Sequence, residues 1–175
     1  MKQINSRHGA LVAGLMDWGI QDFIYVPSSH AAPIIRSLES QGVRAVMANR
    51  EEEAVGIAGG LSLAGRKVAI VMQDNGFGNA LTALATFAIQ YHLAIPIFAN
   101  TRGGLGEYNS MINAISESVP SILERIGVKV IELGISDSVE VWRSSTKAVA
   151  QLAKIQHRPN VTLFEALHPS LEEVE

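Results

Sequence analysis

The chain has 175 residues, 47% of them hydrophobic and 18% charged: enough apolar content for one domain with its own core, and too much for a disordered chain. A net charge of −3 argues against nucleic acid or an anionic membrane as the main partner. With no cysteine, disulfide frameworks, thiolate nucleophiles and cysteine-based zinc sites are excluded.

In chain order, "INSRHGALVAGLMDWG" has apolar residues at helical spacing and predicts a helix capped by Ser6 and stopped by Gly19. The lack of a cleavage site there predicts a cytoplasmic protein, and no apolar run reaches the roughly 18 residues of a membrane span. "DFIYVP" predicts a strand, "AAPIIRSLESQG" a helix and "VRAVMAN" a strand. "REEEAVGIAGGLSLAG" predicts a helix ended by Gly65, with Asn49 as its cap. "KVAIVMQ" predicts a strand apolar on both faces, "DNGFGN" a turn and "ALTALATFAIQYH" a helix. "AIPIFAN" predicts a strand in which Pro96 requires an edge or a bulge. A loop, "TRGGLGEYNS", leads to a helix over "SVPSILERIG" with Pro120 in its first turn. "VKVIEL", the long helix "SDSVEVWRSSTKAVAQLAKIQ" and "NVTLFEA" complete the alternation before a polar tail.

Apolar strands alternating with helices predict an α/β fold: a single doubly wound, mostly parallel six-stranded sheet with helices on both faces. In such sheets ligands bind beyond the carboxyl ends of the strands. Those ends read "VPSSH", "ANREEE", "QDNGFGN" and "ANTRGGLGEY".

Glu51, Glu52 and Glu53 complement the positive end of the helix dipole, which accounts for acid there. It does not account for Gly56, Gly59 and Gly60 behind them, each costing roughly 1 kcal/mol relative to alanine in a helix interior. Glycines at that cost predict close packing on more than one side, with at least one leading carboxylate at an interface. In "DNGFGN", Gly76 and Gly78 form either a tight strand-to-helix turn or a backbone cradle for an anion, and Phe77 touches a flat ligand or a subunit contact. Neither a dinucleotide fingerprint nor a P-loop is present. Arg102 offers a fork of donors to a carboxylate, phosphonate or sulfonate, or else is a solvated loop residue. Ser28 or Ser29 caps a helix, or these serines and His30 face a ligand; no nucleophile elbow is present. The five histidines lack metal-ligand spacing, so no metal site is expected on this chain.

"VPSSH", "NREEEAVGIAGGLSLAGRKVAIVMQDNGFGNALTAL" and "RGGLGE", in this order, resemble the pyrimidine-binding (PYR) domain of thiamine-diphosphate-dependent 2-oxo-acid decarboxylases. Within that group the run is most similar to the sulfopyruvate decarboxylase alpha subunits, with phosphonopyruvate decarboxylase a close relative. The resemblance implies a PYR domain over residues 1–170 and a polar tail over 171–175. It matches the family's glutamate to Glu51, which in the family hydrogen-bonds N1′ of the cofactor's aminopyrimidine, promoting the imino tautomer that activates the thiazolium. It implies cofactor contacts from Gly76, Phe77, Gly78 and Asn79, and substrate contacts from Ser29, His30 and Arg102.

A complete enzyme of this family also needs a Gly-Asp-Gly and an Asn-Asn to hold Mg²⁺ and the diphosphate, and no Gly-Asp-Gly occurs here. The resemblance therefore implies a separate beta subunit carrying the diphosphate- and Mg²⁺-binding domain, with thiamine diphosphate between the chains. Self-association through PYR domains implies at least two alpha and two beta chains, with no nucleic acid and no membrane. The expected activity is decarboxylation of an anionic 2-oxo acid such as sulfopyruvate to the aldehyde and CO₂. The other readings are a non-catalytic PYR-like partner or scaffold, and a decarboxylase or carboligase of phosphonopyruvate or an aryl 2-oxo acid.

Overall fold

The computed structural model describes residues 6–103, 107 and 109–165. The expected boundary at residue 170, the tail beyond it, and the middle of the 101–110 loop lie outside these residues. The elements run α1 (Arg7–Trp18), β1 (Asp22–Tyr25), α2 (Ala32–Ser40), β2 (Arg44–Met47), α3 (Glu51–Leu63) and β3 (Val68–Gln73). A 3₁₀ turn (Asp74–Gly76) leads directly into α4 (Phe77–Ala83), which continues through a π-helical turn (Leu84–Ala88). Then come β4 (Pro96–Asn100), a second 3₁₀ turn (Ser110–Ile112), α5 (Asn113–Arg125), β5 (Lys129–Leu133), α6 (Val139–Gln156) and β6 (Asn160–Phe164).

The six strands form one sheet in the order β2-β1-β3-β4-β6-β5, and every adjacent pair is parallel. The central strand β3 explains its apolar run by alternation. Val68, Ile70 and Met72 enter the core under α3, α4 and α5, while Ala69 and Val71 enter the core under α1, α2 and α6. At the amino end of the sheet the fully buried Asp22 is paired with the guanidinium groups of Arg44 and Arg66. The opposite, carboxyl end is left for the polar loops.

Two prolines sit where the sequence does not predict. Pro96 opens β4, a strand between β3 and β6 and neither edge nor bulge. As first residue of the strand it gives up only a donor that lies before the ladder. Pro120 lies inside α5, well beyond its first turn, because the Asn109 side chain accepts from Met111 N and starts helical structure much earlier than "SVPS". The helix forgoes one bond there, to the carbonyl four residues back.

The glycines of α3 divide sharply. At Gly59 a Cβ would lie 2.9 Å from Phe87 Cζ and 3.0 Å from Leu93 Cδ1, so glycine is what lets α4 approach. At Gly56 and Gly60 it would meet nothing within 4 Å. The expected second packed side of α3 is therefore not supplied by this chain's described residues. Gly59→Ala should destabilise the chain by about 1–3 kcal/mol through overpacking, whereas Gly60→Ala should stabilise it by up to about 1 kcal/mol. Urea unfolding of the two variants checks both signs; equal shifts would contradict this packing.

Candidate functional site

The three adjacent glutamates at the start of α3 go to three different places. Glu53 turns back, and its Oε2 accepts from the Asn49 N–H at 2.8 Å. Glu52 accepts from Arg50 Nε at 2.6 Å, and its own backbone N–H together with Arg50 holds its carboxyl below the usual range. The N-cap position is Arg50, with no side-chain bond, so Asn49 is not the cap; Glu53 instead ties down the N–H one residue before the cap and so fixes the entry of the chain into α3. Glu51 alone reaches across the fold. Its Oε2 accepts from Asn79 Nδ2 of α4 at 2.8 Å.

The segment between β3 and α4 is built around that carboxylate. Gly76 has φ of −66° and ψ of −16°, ordinary helical values, so glycine is not required for backbone freedom. It is required for space: a Cβ would lie 2.6 Å from Glu51 Cδ. "DNGFGN" is thus the first turns of helix, not a free loop before one. Phe77 is 1% exposed and packs in the core beneath α3 and α4, so its ring supports the turn from inside instead of facing a ligand. Gly78 and Asn79 are exposed on the same turn, beside the end of Glu51.

A second polar group lies at the ends of β1, β3 and β4. Gln73 Nε2 donates to Ser28 Oγ at 2.7 Å, and Ser28 Oγ lies 3.4 Å from Asn100 Oδ1. Gln73 and Asn100 are register partners across β3 and β4, which is why they meet one serine. Ser28 also accepts weakly from Ala31 N at 3.4 Å, but the cap of α2 is Ala31, without a side-chain bond; neither serine fills that role. Ser29 Oγ lies 3.3 Å from Nδ1 of the buried His30.

Arg102 joins the first group through Asp74, a residue that sequence reasoning left unassigned. Asp74 is 1% exposed; its Oδ1 accepts from Asn75 N at 2.7 Å and its Oδ2 from Arg102 N at 2.9 Å. Burial raises its pKa, and these N–H groups partly offset the rise. The Arg102 guanidinium is bidentate on Glu107, Nε to Oε2 at 2.6 Å and Nη2 to Oε1 at 3.0 Å. That hydrogen-bonded guanidinium holds the Glu107 carboxyl down at about 2. Beside this pair a cavity of about 250 Å³ opens between α5 and the ends of β5 and β6, lined in part by Arg102, Gly103, Pro120 and Leu163. Glu107 was not singled out in the sequence; its only signal there was a carboxylate five residues from an arginine in a glycine-rich loop.

Residues 8–102 match the family model described as thiamine pyrophosphate enzyme, N-terminal TPP binding domain. The chain is similar to the sulfopyruvate decarboxylase subunit alpha of Methanothermobacter thermautotrophicus, 34% identical over 100 residues, or 57% of this chain and 61% of that one. It is 28% identical over 160 residues to the Methanococcus maripaludis protein of the same name, covering 91% of this chain and 94% of that one. Among solved structures, the 2-oxoglutarate:ferredoxin oxidoreductase of Magnetococcus marinus superposes with a TM-score of 0.62 at 18% identity, over 93% of this chain and 29% of that one. That likeness concerns the fold. Among the described residues no helix is long and apolar enough to cross a membrane.

Two expectations follow from the geometry. Gly76→Ala suits the backbone but collides with Glu51; a crystal structure should show the fold kept, Glu51 swung aside and its bond to Asn79 lost. Glu107, with a folded pKa of about 2 against an ordinary 4.5, contributes stability that is present above pH 4.5 and lost as pH falls through about 2. Glu107→Gln should therefore flatten the acid limb of the unfolding profile in that window, as read by thermal unfolding at stepped pH. An acid limb unchanged by the substitution would show that the pair contributes nothing.

Proposed function

The chain belongs to the thiamine pyrophosphate enzyme family, as an N-terminal TPP binding domain, and on that premise we propose that it is the pyrimidine-binding (alpha) subunit of a two-chain decarboxylase acting on an anionic 2-oxo acid such as sulfopyruvate. The observation that carries the reading is the placement of Glu51. Its carboxylate stands at a helix N-terminus, one oxygen oriented by Asn79, over a turn whose glycine leaves no side chain in the way. An acid so held fits a ring nitrogen that must accept and return a proton. The residues present thus fit the aminopyrimidine half of thiamine diphosphate.

When bound, thiamine diphosphate supplies the electron sink that loss of CO₂ from a 2-oxo acid needs. Glu51 holds the proton at N1′ of the aminopyrimidine, and Asn79 keeps the carboxyl from rotating away. Gly76 and Gly78 keep the surface beside Glu51 low, and Phe77 stiffens the turn beneath. Ser29 and His30 on the loop after β1, and Arg102 after β4, read the substrate. Residues 1–170 form the PYR domain in this reading.

The diphosphate and Mg²⁺ are assigned to a second, beta subunit. Two observations support a second chain: the relatives are named as alpha subunits, and none of the described residues covers α3 at Gly56 and Gly60. At least two copies of each chain complete the assembly.

Co-expression with a beta subunit, followed by assay of CO₂ release from sulfopyruvate with thiamine diphosphate and Mg²⁺, tests the reading. Glu51→Gln should lower turnover by at least about 100-fold, the scale of a lost acid–base group. Glu52→Gln and Glu53→Gln, which alter only helix-start contacts, should stay within a few-fold of the parent. Loss at Glu52 or Glu53 with retention at Glu51 would overturn the assignment.

A further inference from the structure

The bidentate pair of Arg102 and Glu107 reinforces its loop, but its donor set is larger than a salt bridge needs. Four N–H groups converge on one carboxylate, two on each oxygen. Oε2 accepts from Arg102 Nε at 2.6 Å and Gly103 N at 3.5 Å; Oε1 accepts from Arg102 Nη2 at 3.0 Å and Asn109 N at 2.9 Å. The side chains are only 10% and 7% exposed, so the exchange of water for these donors is nearly complete. A guanidinium fork flanked by backbone N–H groups is the arrangement that binds small oxyanions.

We propose that Arg102, Gly103 N and Asn109 N form an oxyanion receptor whose resident occupant is the Glu107 carboxylate, and that a small sulfonate, phosphonate or carboxylate ligand binds by displacing it. The inference deepens the function proposed above and rests on it for the nature of the ligand, though not for the geometry. Glu107 is then a specificity-determining residue: only an acid that outcompetes an internal carboxylate is accepted. The surroundings explain why binding must be exchange and not addition. The adjoining cavity also carries Asp74, Glu117, Glu132 and Glu165, so with Glu107 in place no positive field remains to hold a second anion. When Glu107 leaves, the root of the fork stays anchored, because Asp74 still accepts from Arg102 N at 2.9 Å and is itself fixed by Asn75 N. The same donors, the Arg102 guanidinium foremost, hold the carboxyl of their occupant down at about 2 against the opposing effect of burial.

The test uses the full chain with ¹⁵N-labelled arginine and ¹³C-labelled glutamate, methanesulfonate as probe and chloride at matched ionic strength as control. In the parent, methanesulfonate should shift the Arg102 Nε–Hε resonance while the Glu107 carboxyl resonance moves toward that of a free glutamate. Glu107→Gln should lower the apparent Kd for methanesulfonate by at least about ten-fold, since the competing state is removed. Adding Arg102→Met to that variant should abolish the gain. The proposal is overturned if the parent's Arg102 signal does not respond beyond the chloride control, or if Glu107→Gln binds no more tightly. Both parent resonances can be read without any substitution, so the exchange is tested even where a variant folds poorly. Anion exchange with no turnover of sulfopyruvate by the assembled enzyme would remove the proposed activity and leave the receptor; turnover without exchange would do the reverse.

Discussion

The close approach of Glu51 to Gly76 is the constraint around which the carboxyl end of the sheet is arranged. The helices that follow β2 and β3, the strands on either side of β1, bring their N-termini together, and a carboxylate fills the space that any side chain at position 76 would occupy. Because Gly76 sits in a helical conformation, the 3₁₀ turn runs into α4 without a break, and Asn79 arrives one turn later to hold Oε2. The same turn begins with Asp74, whose buried carboxylate fixes the start of the loop that carries Arg102. One close contact thus sets the relative positions of α3, α4 and the loop after β4.

The parallel register does the rest. Gln73 and Asn100 are paired residues at the ends of β3 and β4, and Ser28 follows β1 on the other side of β3. Alternation along β3 sends Met72 into the core under α3 and α4 and turns Gln73 to the opposite side, where it meets Ser28. The sheet end therefore presents a charged group built from Glu51, Asp74, Arg102 and Glu107, and a neutral group built from Ser28, Gln73 and Asn100. Ser29 and His30 extend from the neutral group, which ties the loop after β1 to two central strands.

The fold was legible because strand-like runs alternate with helical segments, and burial on both faces leaves a nearly continuous apolar run in the inner strands β1, β3, β4 and β6, though not in the edge strands β2 and β5. The places where reading failed share one cause: a partner outside the local pattern decided the conformation. Pro96 looked incompatible with a central strand until register made it the strand's first residue. Pro120 looked like a helix start until the Asn109 side chain began helical structure upstream. Asn49 looked like a cap, but its own N–H is instead taken up by Glu53 reaching back. Glu51, Glu52 and Glu53 are alike by composition and dipole; they were separable only by family register, and physically only by Asn79 and Gly76, which the sheet brings to them. Nothing local distinguishes Glu107, a loop glutamate that meets a buried guanidinium, from one that does not.

The glycines of α3 explain why a carboxylate leads an apolar helix. Gly59 is accounted for inside the chain, since Phe87 and Leu93 occupy the volume a side chain would need. Gly56 and Gly60 are not: each gives up roughly 1 kcal/mol of helix stability with none of the described residues beside it. The described residues of this chain gain nothing from that loss. A second surface seated on that face of the helix, which Glu52 shares at a spacing of four residues, would recover it through close backbone approach. The proposed beta subunit is such a surface. In that arrangement the cost borne by α3 alone is offset where the two chains meet, and the helix that carries Glu51 at its head is then packed on both sides.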